Sequence, residues 1–263
     1  MTPHAPADEA IPQLLEEHGG KIYGLGLRLC TGPAEAEDLV QETFLQAFRH
    51  WDSFEGRSQP STWLYTIASR LCRRMHRKRS GEPEHMESLD ELLPGPHEVV
   101  PAPPGQDDPE YAQIRRESEE RLQQALSMLP DDFRLPLVLK DLVELSGAQV
   151  AEVLGIPEAT VKTRVHRARL KLRKILADGL PGPPDASREA HVHPSTQACL
   201  DLLQAKQEAL DRGVALPVPQ AEICSRCRAV FATLDLAKDV CRDLSKGPLP
   251  GEIRDRLLDT MAA

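Results

Sequence analysis

Leu154-Gly155-Ile156-Pro157-Glu158-Ala159-Thr160-Val161-Lys162-Thr163-Arg164-Val165-His166-Arg167-Ala168-Arg169 has the pattern of a sharp turn that opens a cationic amphipathic helix. Upstream, Ser146 stands three residues before Gln149, the spacing of a capping box, and Val150, Ala151, Val153 and Leu154 give a short helix with an apolar face. Gly155 suits the left-handed residue that ends it. Pro157 suits the first position of the next helix, where a missing N–H costs nothing. Val161, Val165, Ala168 and Leu172 recur at i, i+4, i+7 and i+11, a single buried stripe. Ala159, Lys162, Thr163, His166 and Arg167 fall on or near the opposite face. Two helices so related form a helix-turn-helix, whose second helix turns its N-terminal side chains to base edges while flanking cations hold phosphates. Between Pro157 and Leu176 seven cations stand against Glu158 alone, a local charge of +6. A solvated basic helix would share that charge, so the window predicts duplex binding without naming a function.

The rest of the composition frames this unit. A chain of 263 residues can hold two or three small domains, and 4% aromatic residues, 28% charged residues and 23 prolines suit helical modules joined by irregular linkers. No apolar run is long enough to span a bilayer, and Met1 to Glu9 has no basic segment followed by an apolar one. The expectation is a cytoplasmic protein, not membrane-bound, with its six cysteines reduced and available for metal or redox chemistry. A net charge of −9 argues against nucleic acid as a partner until its distribution is read. From Arg57 to Arg79 there are seven cations and no acid, whereas from Gly81 to Glu120 twelve acids face Arg115 and Arg116. Local fields govern encounter with DNA, and here two basic patches are separated by an acidic tether.

The chain divides accordingly. Residues 11–79 form a first helical unit with breaks at Thr31-Gly32-Pro33 and at Phe54 to Pro60; residues 80–112 have the Pro-rich acidic composition of a linker; residues 113–178 form a second unit containing the helix-turn-helix; and residues 190–263 form a Cys-containing third segment beyond Leu180-Pro181-Gly182-Pro183-Pro184. No strand alternation and no internal repeat stand out, which predicts an all-α protein: two small helical DNA-binding domains joined by the linker, and a C-terminal helical domain.

The first unit carries a second set of candidate contacts. From Ala36 to Phe48 an apolar stripe accompanies Asp38, Gln41 and Glu42, which share a face able to dock a partner with matching donors. Downstream, Trp51, Phe54 and Trp63 flank a short polar loop, and a helix from about Ser61 to Lys78 presents Arg70, Arg73, Arg74 and Arg77. Aromatic groups beside a cationic helix suit unstacked bases on a phosphate track, although burial is the simpler reading of Trp63.

Together, Asp38-x-x-Gln41-Glu42-x-Phe44, Phe54-x-Gly56 and Thr62-Trp63-Leu64-x-x-Ile67-Ala68 resemble region 2 of bacterial RNA polymerase sigma factors of the extracytoplasmic-function class. The block Leu126-x-x-Leu129-Pro130, Ala151-Glu152-x-Leu154-Gly155-Ile156 and Thr160-Val161-Lys162-Thr163-Arg164-x-His166-Arg167-Ala168-Arg169 resembles region 4 of the same family, and the two cover about 130 residues in the family order. The resemblance implies a non-enzymatic initiation factor, of a class tied to stress responses, that binds core RNA polymerase and promoter DNA. Asp38, Leu39, Gln41, Glu42, Leu45 and Phe48 would then grip the polymerase. Phe54, Arg57, Trp63, Arg70, Arg73, Arg74 and Arg77 would open and hold the −10 element as a single strand. Thr160, Lys162, Thr163, Arg164, His166 and Arg167 would read the −35 duplex, with no cofactor needed. Two departures, Gly56 to Ser61 in the −10 loop and Ser69-Arg70 where the family often has Arg-Asn, bear on the −10 sequence that is read.

The third segment contains Cys224-Ser225-Arg226-Cys227, a thiol pair at chelate spacing, with Cys199 upstream, Cys241 downstream, and His191 and His193 nearby. It is similar to the zinc-binding anti-sigma domain, usually a separate protein, although Gln220 stands where that family has its histidine. The similarity implies a Zn2+ site of Cys199, Cys224, Cys227 and His193, with Cys241 an alternative fourth ligand, or a fold retained without metal. Cys30 and Cys72 read as small core residues. The segment is expected to fold back on the DNA-binding units, with metal loading or thiol oxidation altering that docking. The competing reading, a stand-alone metal- or redox-responsive helix-turn-helix regulator, leaves Asp38 to Phe48 and the acidic tether without a role.

Overall fold

A computed structural model describes residues 5–30, 32–75, 85–94, 100–178, 180, 196–219, 222–243 and 248–262. Every regular element among them is helical, as expected. The first unit is α1 (Ala7–Leu29), α2 (Pro33–His50) and α3 (Pro60–Met75). Helix α2 opens on Pro33, whose fixed φ is already helical, and leaves through the 3-10 turn Trp51–Ser53. Leu25, Leu29, Leu39, Phe44 and Leu64 fill the space between the three helices, each at most 1% exposed. Helices α1 and α2 cross at backbone contact: a Cβ on Gly26 would lie 2.9 Å from both Cα and Cβ of Ala36.

The second unit is α5 (Pro109–Ser127), α6 (Asp131–Leu137) running into a π-helical turn (Val138–Leu142), α7 (Gly147–Leu154) and α8 (Glu158–Ala177). Helix α5 starts four residues inside the stretch read as linker, because Asp108 caps it by accepting from Glu110 N–H at 2.9 Å and Pro109 takes its first position. The helix-turn-helix forms as its turn chemistry requires. Ser146 and Gln149 make the reciprocal capping box, and Gly155 ends α7 at φ 66°. Pro157 is the residue before α8, extended at φ −59° and ψ 143°, rather than its first helical position.

The linker has one regular element among its described residues, α4 (Leu89–Leu92), held by a capping box between Ser88 and Glu91. The third segment supplies α9 (Thr196–Arg212), α10 (Ser225–Asp243) and α11 (Gly251–Ala262). These do not form a separate body. Helix α10 packs against α5, α8 and the π-helical turn, and α11 packs against α1 and α2. The two sigma-like units also touch directly, α3 against α7 and α1 against the π-helical turn, with Lys21 Nζ donating to Val143 O at 3.3 Å and Arg28 to Gln123 at 3.1 Å. One apolar core therefore runs from Ile11 in α1 through Leu137 and Val165 to Val240 and Leu257 in the tail, and a smaller one joins Leu92, Leu170, Leu203, Cys227 and Phe231.

Gly26→Ala should lower the melting temperature. The added methyl meets a backbone that cannot retreat, an overpacking cost of about 1–3 kcal/mol. Thermal unfolding followed by circular dichroism reads the shift, and an unchanged midpoint would contradict the close crossing of α1 and α2.

Candidate nucleic-acid interface

The second helix of the helix-turn-helix holds its apolar stripe inward as its period requires, with Val161, Val165, Ala168 and Leu172 at most 2% exposed. The rest of its surface carries the cations, and all seven are engaged within the chain. Lys162 donates to Glu208 at 2.6 Å and Arg164 to Asp132 at 2.9 Å. Arg167 donates to the carbonyls of Met86, at 3.3 Å, and Glu87, and its guanidinium lies over the Phe133 ring at 5.3 Å. Lys171 pairs with the Glu87 carboxylate. Arg173 donates to Leu92 O at 3.1 Å and Lys174 to Glu91 O at 2.9 Å.

The seventh cation, Arg169, sits at the centre of a buried network. Its Nε and Nη2 form a fork on Asp141 at 2.8 and 2.6 Å, while Nη1 donates to Asp211 at 2.7 Å and Gln207 at 3.3 Å. Burial works against the guanidinium charge, but Asp141 and then Asp211 outweigh it, so Arg169 is held above its ordinary range. Asp211 also meets His166 Nε2 at 2.9 Å. Burial alone would raise the Asp211 carboxyl; His166 and Arg169 beside it prevail and hold it at about 2. Helix α9 thus lays a polar stripe of Gln204, Gln207, Glu208 and Asp211, spaced i, i+3, i+4 and i+7, against the N-terminal half of α8. Of the residues expected to read the −35 duplex, Lys162, His166 and Arg167 touch the tail or linker, Arg164 is tied to α6, and the Thr163 hydroxyl donates to Ala159 O. Thr160 is half-buried at the start of the helix.

In the first unit two expected contacts are corrected. Leu39 is completely buried in the core between α1 and α2, so it has no surface for a polymerase. Phe54 is 6% exposed, stacked on Trp51 at 5.3 Å and tilted against Trp63 at 5.2 Å, and so builds the loop rather than meeting DNA. Trp63 closes this aromatic cluster and keeps an open edge. It lines a depression of about 380 Å³ with Gln46, His50, Ser53, Ile67, Arg70, Leu71 and Arg74. Arg57, Arg70, Arg73 and Arg74 are exposed, and Arg77 lies outside the described residues. Asp38 is exposed, and Gln41, Glu42, Leu45 and Phe48 are partly so, on one side of α2.

The thiols fall into two groups. Cys30 and Cys72 are buried and in contact; the Cys30 hydrogen bond, then burial, push the Cys72 thiol up. Cys199, Cys224 and Cys227 converge where α9 meets the start of α10, with Cys227 N–H donating to Cys224 Sγ at 3.4 Å. Burial first, then Cys224 and Cys199, raise the Cys227 thiol. Among the described residues no three His, Cys, Asp or Glu side chains are closed up to metal-ligand geometry. His191 and His193 lie outside the described residues, and Cys241 sits elsewhere, in the main core near Asp141, Arg169 and Arg28.

The acids on α9 and in the linker are not picked out by sequence motifs. The stripe at 204, 207, 208 and 211 is the available signal, because its spacing complements Lys162, His166 and Arg169 at i, i+4 and i+7.

Both DNA-binding units recur in known proteins. Sigma-70 region 2 matches residues 14–82 and Sigma-70 region 4 matches residues 119–172. The chain is 38% identical over 173 residues to the ECF RNA polymerase sigma factor SigW of Bacillus subtilis, covering 65% of this chain and 90% of that protein. It is 36% identical over 170 residues to the ECF sigma factor SigE of Mycolicibacterium smegmatis, covering 63% of this chain and 61% of that protein. It is 32% identical over 170 residues to the RNA polymerase sigma-H factor of Pseudomonas aeruginosa, covering 64% and 86%. Among the described residues no helix is long and apolar enough to cross a membrane. With both DNA-binding units matched in order and the helix-turn-helix formed as its sequence requires, the chain belongs to the extracytoplasmic-function RNA polymerase sigma factors, non-enzymatic initiation factors that bind core RNA polymerase and promoter DNA.

Proposed function

We propose that this sigma factor carries its own regulator: α9 and α10 act as an in-chain anti-sigma-like domain that occupies the −35 recognition helix until a metal- or thiol-dependent change releases it. The observation that carries the reading is the pairing of Lys162, His166 and Arg169 with Glu208, Asp211 and Gln207. These carboxylates offer α8 the charge-assisted acceptors that DNA phosphates would offer. Tethering in one chain gives such contacts a high effective concentration, so individually weak pairs hold. The direct packing of α3 on α7 agrees with a closed form. The centres of the −10 and −35 elements lie about 25 base pairs, or about 85 Å, apart on duplex, whereas a compact chain of this length, with a radius of gyration of about 18 Å, is only about 47 Å across, so promoter engagement requires the two units to part.

In the open form, Asp38, Gln41, Glu42, Leu45 and Phe48 would meet the polymerase; Arg57, Trp63, Arg70, Arg73, Arg74 and Arg77 would hold the −10 strand; and Thr160, Lys162, Thr163, Arg164, His166 and Arg167 would read the −35 duplex. Cys199, Cys224 and Cys227 are three soft donors at the joint between α9 and α10, a set that suits Zn2+ with His193 as a fourth. Bound there, the ion would fix the angle at which α9 is presented to α8. Cys241 lies in a different core, away from these three thiols.

Asp211→Asn in the full chain should increase promoter-specific run-off transcription with core polymerase roughly tenfold, because losing charge-assisted bonds to His166 and Arg169 weakens docking by about 1–2 kcal/mol while Asp141 still pairs Arg169. Unchanged or reduced transcription would remove the inhibitory role of α9. Purified full-length protein should contain about one zinc per chain and lose it on Cys227→Ser; metal-free wild type would reject the zinc site. The Asp211 carboxyl is depressed in the folded state, so its stabilising effect is present above the ordinary carboxylate range and lost as pH falls towards about 2. The protection factors of α9 amides in hydrogen exchange, taken relative to the intrinsic rate at each pH, should therefore hold down to about pH 4 and fall below it, and a fall already at about pH 6 would contradict the assignment.

A further inference from the structure

The partners of α8 come from two places, and the tail accounts for only one. The tail meets Lys162, His166 and Arg169. The linker meets Arg167, Lys171, Arg173 and Lys174, which interleave with the tail's partners at Arg167 and extend beyond them towards the end of the helix. Arg167, Lys171 and Lys174 are spaced i, i+4 and i+7, one stripe along which residues 86–92 run. Their partners are one carboxylate, from Glu87, and main-chain carbonyls of Met86, Glu87 and Glu91, while Leu92, completely buried, anchors the segment beside Leu170. The turn is set by its own chemistry. Ser88 accepts from Glu91 N–H, and the Glu91 carboxylate accepts from Ser88 N–H at 2.7 Å, which aims the following carbonyls at Lys174 and Arg173.

We propose that the linker between the two sigma units is itself an anionic ligand of the recognition helix: residues 86–92 lie along α8 from Arg167 to Lys174, where duplex phosphates would lie, forming a lock separate from the tail. This inference rests on the sigma-factor reading of α8 and adds a second requirement for its release. Freeing α9 uncovers Lys162 and His166 but leaves Arg167 and Lys171 engaged, so full duplex binding needs the linker to be drawn off as well. A sigma factor whose linker is pulled elsewhere on polymerase binding would thereby expose its −35 helix only once assembled.

The test is duplex binding by the full-length protein, measured by fluorescence anisotropy with a random-sequence duplex of about 25 base pairs over a range of salt concentrations. Glu87→Gln and Ser88→Ala, each alone and with Asp211→Asn, are compared with wild type, and thermal unfolding checks the fold of each. Each further phosphate that the protein neutralises steepens the slope of log K against log salt by about 0.9. With Asp211→Asn as background, Glu87→Gln should tighten binding about five- to tenfold and steepen the slope by about one to two. Ser88→Ala should act in the same direction, more weakly, by loosening the turn. Identical affinity and slope for Asp211→Asn with and without Glu87→Gln would overturn the linker lock. Run-off transcription on the same proteins separates the two ideas. A chain carrying Asp211→Asn and Glu87→Gln together that supports no more initiation with core polymerase than wild type removes the release reading of α9, while the duplex comparison still decides whether the linker covers α8.

Discussion

A helix with a charge of +6, one side of which is buried in protein, must have an anion or a carbonyl for each cation near its buried edge. In α8 this constraint is met by Asp141 from its own unit, Asp132 from α6, Glu87 and carbonyls from the linker, and Glu208 and Asp211 from α9. Much of the remaining architecture follows from it. Arg169 is only 3% exposed and tolerates burial because two carboxylates and an amide satisfy its fork. Asp211 reaches that network from the tail and fixes where α9 lies. Acids that contribute to the overall charge of −9 are therefore counter-ions of the DNA-binding surface.

In the proposed function, DNA and the chain's own carboxylates compete for the same guanidinium and ammonium groups. Both interactions are weakened by salt, but duplex binding also releases condensed counterions, which an internal carboxylate does not. The balance is consequently set by geometry and tether as much as by charge. Asp141 and Asp132 differ from the other partners, since they come from the unit that contains α8, and Asp141 holds the Arg169 fork from within that unit.

The apolar packing carries the same division. Leu236, Val240 and Cys241 of α10 and Ile253 and Leu257 of α11 belong to the core that also contains both sigma units, so the tail is attached to the family fold by burial and not by ion pairs alone. Ion pairs Arg254–Glu16 and Arg256–Glu37 border α11 at 3.8 and 3.9 Å, and at that distance on the surface they add little to the packing of its apolar side. The thiols of Cys199, Cys224 and Cys227 sit in the smaller cluster, at the joint between α9 and α10.

Local structure follows from the order of the amino acids alone. Ser146 with Gln149, Gly155, and the stripe Val161, Val165, Ala168 and Leu172 specify the helix-turn-helix through hydrogen bonds and periodicity within a few residues, and both sigma units are legible from such signals. Short-range patterns do not convey contacts between residues far apart in the chain. That Leu39 and Phe54 are interior depends on where α1 and Trp51 pack against them, and a face read from one helix in isolation cannot say which edge is covered. That Glu87, Glu208 and Asp211 claim Lys171, Lys162 and His166 depends on two segments, one about 80 residues before its partner in α8 and one about 45 after its partners, arriving at the same surface. This pairing is a property of the folded chain, because charges along the sequence state what each segment can bind, and only the fold brings particular partners within a few ångströms.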